Sequence, residues 1–157
     1  IVNEAGKVFL SLKKGQEITP ALIESHIGIS KDFNIFEFQK ALGQKNMVKA
    51  YQIAAYFADN LKSNPLTMTL AMLYQFFSKL LRLHASRNLS RKELPGQLGI
   101  LPVFLSDYEQ AARNYPVNKI MHVFSILRQA DLQSKGVGNV SAPHGEILKE
   151  LTYKMLH

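Results

Sequence analysis

The chain has 157 residues and a mass of 17.7 kDa, room for one domain or one domain with a small appendage. A hydrophobic fraction of 46% with 20% charged residues excludes a disordered tail, and the absence of cysteine excludes disulfide scaffolds, thiolate zinc sites and cysteine nucleophiles. Nineteen Lys and Arg against twelve Asp and Glu leave a net charge of +7, which permits attraction to nucleic acid or to an acidic partner.

The chain opens on Ile1 rather than Met and is read as part of a longer protein. No basic n-region leads into an apolar h-region, so no signal peptide is visible. The most apolar stretch, residues 66–83, is broken by Gln75, Ser78, Lys79 and Arg82 and falls short of the roughly 20 apolar residues of a membrane span. It is read as a buried helix of a soluble, intracellular protein, and the missing cysteine fits a reducing compartment.

Helix follows helix, and the period-2 alternation of a strand never persists. A first helix is expected over residues 2–14 with Val8, Leu10 and Leu12 apolar, closed by Gly15. Thr19 caps a second, with Pro20 at its first position and Gly28 as its stop. After a connector at residues 29–32, a third carries Phe33, Ile35 or Phe36, Phe38 and Leu42 and stops near Gly43. Asn46 caps a fourth, with Met47, Tyr51, Ala54, Ala55, Ala58 and Leu61.

Asn64 and Pro65 repeat the cap-then-proline signal and open the longest helix, residues 66–87. It is apolar nearly all round and is placed in the middle of a bundle. Ser90-Arg91-Lys92-Glu93 reads as a capping box for a helix cut short by Pro95 and Gly96. The next begins at Ile100-Leu101-Pro102, turns Val103, Phe104, Tyr108 and Ala111 or Ala112 inward, and ends at Tyr115-Pro116. Asn118 caps another, whose apolar face holds Ile120, Met121, Phe124, Leu127 and Leu132. A flexible loop at residues 136–139 precedes a last helix opened by Ser141-Ala142-Pro143, with Leu148, Leu151 and Met155. No repeat of 20–50 residues shows, which disfavours a solenoid. The fold is expected to be all-α, with a boundary near residues 30–32.

Catalytic signatures are weak throughout. There is no G-x-x-x-x-G-K-[ST] phosphate cradle. Gly136-x-Gly138 has Ser141 at the third glycine position and no preceding strand, so it reads as a helix–helix loop. None of His26, His84, His122, His144 and His157 has a zincin-type partner, and His144 and Glu146, two apart, point to different helical sides. Asp107 and Glu109 are also two apart and are expected to face solvent or, for Glu109, to pair with Arg113 at i+4. No G-x-S-x-G elbow marks a nucleophile.

The charge pattern is more informative. No acidic residue occurs between Asp59 and Glu93, whereas Lys62, Lys79, Arg82, Arg87, Arg91 and Lys92 do. Lys79, Arg82 and Arg87, with His84, gather at the C-terminal end of the long helix. There they either complement its dipole or contact nucleic-acid backbone or an acidic partner. The aromatic surplus on the same helix, Tyr74, Phe76 and Phe77, is too broad for one face. It points to full enclosure or to packing on another chain.

Taken in order, the segments resemble the delta subunit of bacterial DNA polymerase III. Asp32-Phe33-Asn34-Ile35-Phe36-Glu37-Phe38-Gln39-Lys40-Ala41-Leu42 resembles the family's "FNIFEL-x-x-AL" helix, and Lys49-Ala50-Tyr51-Gln52-Ile53 its "KALRIL". Leu98-Gly99-Ile100-Leu101-Pro102-Val103-Phe104, followed by Ala111-Ala112-Arg113, resembles "LGI-x-PF…A-x-x". Leu127-x-x-Ala130-Asp131-Leu132-x-x-Lys135-Gly136 resembles "LLxxADLxLKxG", and residues 148–156 the "LExLLLxL" ending.

The resemblance implies an assignment of residues 1–30 to the last two helices of a small AAA+-type lid domain and of 31–157 to the helical collar. It implies no catalysis by this chain and no cofactor in it, ATP being bound by other subunits of the loader. The implied partners are sister clamp-loader subunits through the collar, and the sliding clamp and primed DNA through the whole assembly within the polymerase III holoenzyme. No membrane is implied, and the location would be the bacterial cytoplasm. It also places the loop at residues 135–139 where single-stranded template leaves the loader, with Lys135 as a backbone contact, although no aromatic there stacks a base. The alternative from charge alone is a free-standing helical nucleic-acid binder using Lys79, Arg82, Arg87, Arg91 and Lys92.

Overall fold

The computed structural model describes residues 33–86, 88–137 and 142–157. The two helices expected before residue 29, the lid assignment and the boundary at 30–32 lie outside them, as do Arg87, Gly138, Asn139 and Ser141. The described residues are all-helical, with no strand among them. Helices α1 (Ile35–Gly43), α2 (Met47–Asp59), α3 (Leu66–Ala85), α4 (Leu94–Leu98), α5 (Leu105–Asn114), α6 (Val117–Ser134) and α7 (His144–Leu156) follow in order, with a 3-10 turn, Pro102–Phe104, before α5.

Local chemistry sets most of the starts. Asn34 caps α1: its Oδ1 accepts from the Phe36 and Glu37 amides at 2.9 and 3.0 Å, and the Glu37 carboxylate reaches back to the Asn34 amide at 3.4 Å. Asn46 caps α2 as its position suggests, accepting from the Lys49 amide at 3.1 Å. Three further helices begin directly after a proline. Pro65, Pro116 and Pro143 are themselves the N-caps of α3, α6 and α7, with φ near −60° and extended ψ between 134° and 163°. Each proline carbonyl accepts the first helical bond, from the amides of Thr69, Ile120 and Ile147 at 3.0–3.1 Å.

This pattern corrects two expected caps. Asn64 does not cap α3; its side-chain amide donates to the Asn60 carbonyl at 3.3 Å. Asn118 lies inside α6, its Oδ1 accepting from the adjacent Lys119 amide. A proline's ring fixes φ but leaves ψ free, so the ring serves as well one position before the helix as one position into it.

The Ser90 capping box forms by half. The Glu93 carboxylate accepts from the Ser90 amide and hydroxyl at 2.8 and 2.6 Å, which holds its pKa below the usual carboxylate range. The hydroxyl, so engaged, closes a turn, and the helix begins at Leu94. Pro95 and Gly96, expected as breakers, lie within α4, where Pro95 at the first turn needs no N–H partner. The helix stops at Gly99, whose φ of 63° suits a residue without Cβ.

The helices pack as interlocked pairs, α2 on α7 and α3 on α6, with α6 also meeting α7 and α1 lying across α2 and α5. Residues 33–157 form one compact unit. Its main core joins Phe38, Leu42, Ile53, Phe57, Leu73, Phe77, Leu80, Tyr115, Ile120, Leu148 and Met155, each fully or almost fully buried. A satellite cluster holds Leu94, Leu98 and Leu105. The buried polar side chains are bonded: Gln39 to the Met72 carbonyl at 2.9 Å, Thr69 to Pro65 at 3.2 Å and Thr152 to Leu148 at 2.7 Å.

The long helix lies centrally as expected but loses one of its two alternatives, full enclosure, and one expected face on α6 needs correction. Helix α3 meets α1, α4, α5, α6 and α7 but is not enclosed, since Met68 and Tyr74 face outward while Leu70, Leu73, Phe77 and Leu80 face the core. On α6 the buried face runs through Ile120, Val123, Leu127 and Ala130, which leaves Met121 exposed.

One close approach requires a glycine. A Cβ on Gly43 would stand 2.8 Å from the Ala111 Cβ and 3.2 Å from the Phe76 ring. Gly43, the last residue of α1, is thus a glycine because α5 crosses closely there, and the positive φ of the following turn falls on Lys45 instead.

Candidate functional site

Tyr115, at the junction of α5 and α6, ties four parts of the bundle together. Its hydroxyl faces two carbonyls, Leu42 at the end of α1 (3.1 Å) and Met155 at the end of α7 (3.3 Å). Its ring packs edge-on against Phe77 of α3, and its own carbonyl meets His84 Nε2 at 2.9 Å. Burial pushes its phenol pKa up. Lys45 covers the same ring at 5.2 Å and donates to the Leu156 carbonyl at 3.0 Å. Burial and the neighbouring Lys119 ammonium lower its pKa to about 8. Both groups act structurally, closing the C-terminal end of α7.

The net charge of the whole chain resides in residues 33–157, because the four lysines before Phe33 are balanced by four carboxylates. Within the described residues the basic side chains picked out in sequence are largely engaged. Lys79 donates to the Gly99 carbonyl at 3.0 Å and Arg82 to the Gln97 carbonyl, so both satisfy the C-terminal end of α4 rather than that of their own helix. Arg91 pairs with Glu109 at 3.0 Å, and Lys135 with Asp131 at 2.6 Å. Lys92 has no ion pair among the described residues. The expected Glu109–Arg113 pair is replaced by Glu109–Arg91 because the 90–93 turn brings Arg91 against α5; Asp107 pairs with Lys40 of α1 at 3.1 Å.

A second surface was hidden in the sequence. Val103 and Phe104, expected inward, are 72% and 49% exposed, and Leu105 takes the buried place. Gly99 in the left-handed conformation and the extended Leu101 ahead of Pro102 reset the helical phase before α5. Leu101 and Phe104 thereby line, with Phe36 of α1, a groove of about 490 Å³ floored by Phe76 and Tyr108. Burial raises the Tyr108 pKa. The sequence signal was the Pro102 that breaks the apolar run, which favours an extended residue before it.

Among the described residues no three His, Asp or Glu side chains gather as metal ligands, and no helix is long and apolar enough to cross a membrane. His144 meets the Ser134 carbonyl at 3.3 Å and His157 the Tyr153 carbonyl at 3.1 Å. Comparison with family models, with curated proteins and with solved structures finds no match.

Proposed function

We propose that this chain is a non-enzymatic assembly module, the collar region of a clamp-loader subunit resembling the delta subunit of bacterial DNA polymerase III. The observation that carries the reading is the ordered series of delta-like segments from Asp32 to Leu156. An all-helical unit with exposed Phe36, Leu101, Val103 and Phe104 supports it, since a subunit of a ring must leave apolar surface for its neighbours. In this reading ATP is bound and hydrolysed by sister subunits, and the chain contributes architecture to the loading of the sliding clamp onto primed DNA.

The nucleic-acid-binder alternative draws on Lys79 and Arg82, which close the end of α4, on Arg91, which pairs with Glu109, and on Arg87 and Lys92. Titrating labelled primed DNA with this chain alone at moderate salt separates the two. Negligible binding is expected. Micromolar or tighter binding that falls steeply with salt, by about one unit of log K per log salt for each phosphate contacted, would favour the alternative.

A further inference from the structure

We propose that Lys45 is a site of covalent modification, its side-chain amine being the preferred acceptor in this chain for an acyl group carried by an acyl phosphate. The proposal goes beyond the assembly reading and does not depend on it.

Geometry singles the residue out. Lys45 has a φ of 53°, the one positive value on a residue other than glycine among the described residues. Left-handed backbone usually falls to glycine or asparagine, because a Cβ crowds the following carbonyl there. The lysine folds back over the end of the bundle. Its Nζ lies 5.2 Å from the centre of the Tyr115 ring and donates to the Leu156 carbonyl at 3.0 Å. Lys119 of α6 reaches the next carbonyl, that of His157, at 3.4 Å, so two ammonium groups converge on consecutive residues. The His157 ring stacks on Tyr153 and supplies no negative charge.

What this corner lacks is a carboxylate. Lys40, Lys49, Lys135, Lys149 and Lys154 each face an Asp or Glu, which favours the charged ammonium. Among the described residues no ion pair reaches Lys45 or Lys119. Lys45 is instead half-buried beside a second cation, and both the burial and the like charge favour its neutral form. Desolvation and a neighbouring cationic group are the two conditions that make a lysine nucleophilic near neutral pH.

In the step itself the neutral amine attacks the acyl carbonyl carbon. The N–C bond forms as the C–O bond to phosphate breaks, inorganic phosphate leaves with the electron pair, and the surplus amine proton passes to water. The resulting amide is uncharged and keeps one N–H to donate, so the product also ends the repulsion with Lys119. At pH 7.5 a pKa of about 8 leaves about a quarter of the amine neutral, against about one part in a thousand at the ordinary 10.5. The weaker base is also the weaker nucleophile. With a Brønsted slope of about 0.4–0.5, as for thiols, a net rate advantage of about 10- to 20-fold remains.

The test treats the 157-residue chain with acetyl phosphate and follows each lysine by peptide mass spectrometry. Lys62 and Lys92, both exposed and without an ion pair among the described residues, serve as internal references. Expected at pH 7.5 is acetylation of Lys45 about 10-fold faster than of either reference. Its rate should level off above about pH 8–9, while the reference rates go on rising about tenfold per pH unit toward 10. Concentrated urea should erase the preference. Lys119→Gln, its folding confirmed by circular dichroism, should slow Lys45 by about twofold or more and leave the references unchanged. A Lys45 rate no greater than that of the references would overturn the proposal, as would a preference that survives in urea. A Lys45 rate that climbs with pH in parallel with the references would also overturn it, because accessibility alone would then explain the labelling. An unchanged Lys45 rate in Lys119→Gln would overturn the part given to the neighbouring charge.

Discussion

Replacing Tyr115 by Phe isolates one hydroxyl at the point where α1, α5, α6 and α7 meet. The hydroxyl carries a single proton and has two acceptors, so the native state gains one hydrogen bond at a time, to Leu42 at 3.1 Å or Met155 at 3.3 Å. The Leu42 carbonyl keeps a second partner, the Lys45 amide at 2.9 Å, so no acceptor there is orphaned. The expected loss is therefore the net worth of one buried bond, about 1–1.5 kcal/mol, or roughly 3 °C in melting temperature for a chain of this size. Tyr115→Leu also removes the ring packed on Phe77 and should cost more, about 3 kcal/mol. Urea unfolding at pH 7 with matched m-values measures both. A Tyr115→Phe variant within about 0.3 kcal/mol of the wild type would refute the assignment of the hydroxyl as a structural tie.

Gly43→Ala should destabilise by about 1–3 kcal/mol, because the new Cβ meets Ala111 at 2.8 Å; a melting temperature equal to the wild type would show that α1 and α5 separate freely. Asn34→Ala removes the α1 cap and should cost about 1 kcal/mol in chemical unfolding, whereas Asn118→Ala, which removes no cap, should stay within about 0.5 kcal/mol. Lys45 has a folded pKa of about 8 against an ordinary value of 10.5, so between these values the unfolded chain binds more protons and stability rises with pH. Lys45→Met should flatten that rise between pH 8 and 10. Above pH 10 the raised phenols of Tyr108 and Tyr115 act in the opposite sense, and both proteins lose stability.

Helices are legible in this sequence where one local signal acts alone. Asn46 announces α2, and the spacing of Phe38 and Leu42 announces the buried side of α1. Where two signals compete, the stronger constraint wins in space. Pro65, Pro116 and Pro143 displace the neighbouring polar residues from the cap positions, since a ring-fixed φ near −60° with extended ψ already aims the chain into a helix. The Asn34-x-x-Glu37 box stood in the sequence and was masked by the apolar run around it. The groove was not legible at all. Its walls come from α1 and from residues 99–108, and the outward turn of Leu101 and Phe104 depends on a left-handed Gly99 that spacing alone does not reveal. The basic cluster was legible as charge but not as structure: only the fold shows that α4 ends within reach of Lys79 and Arg82.

The proposed assembly role is tested most directly by sedimentation velocity of the wild-type chain mixed with the sister subunits of a delta-type clamp loader at physiological salt. A stoichiometric complex containing one copy of this chain, unchanged when the salt is doubled, is the expected result. Separate sedimentation of every component, with the chain instead co-sedimenting with primed DNA in a salt-sensitive manner, would contradict it.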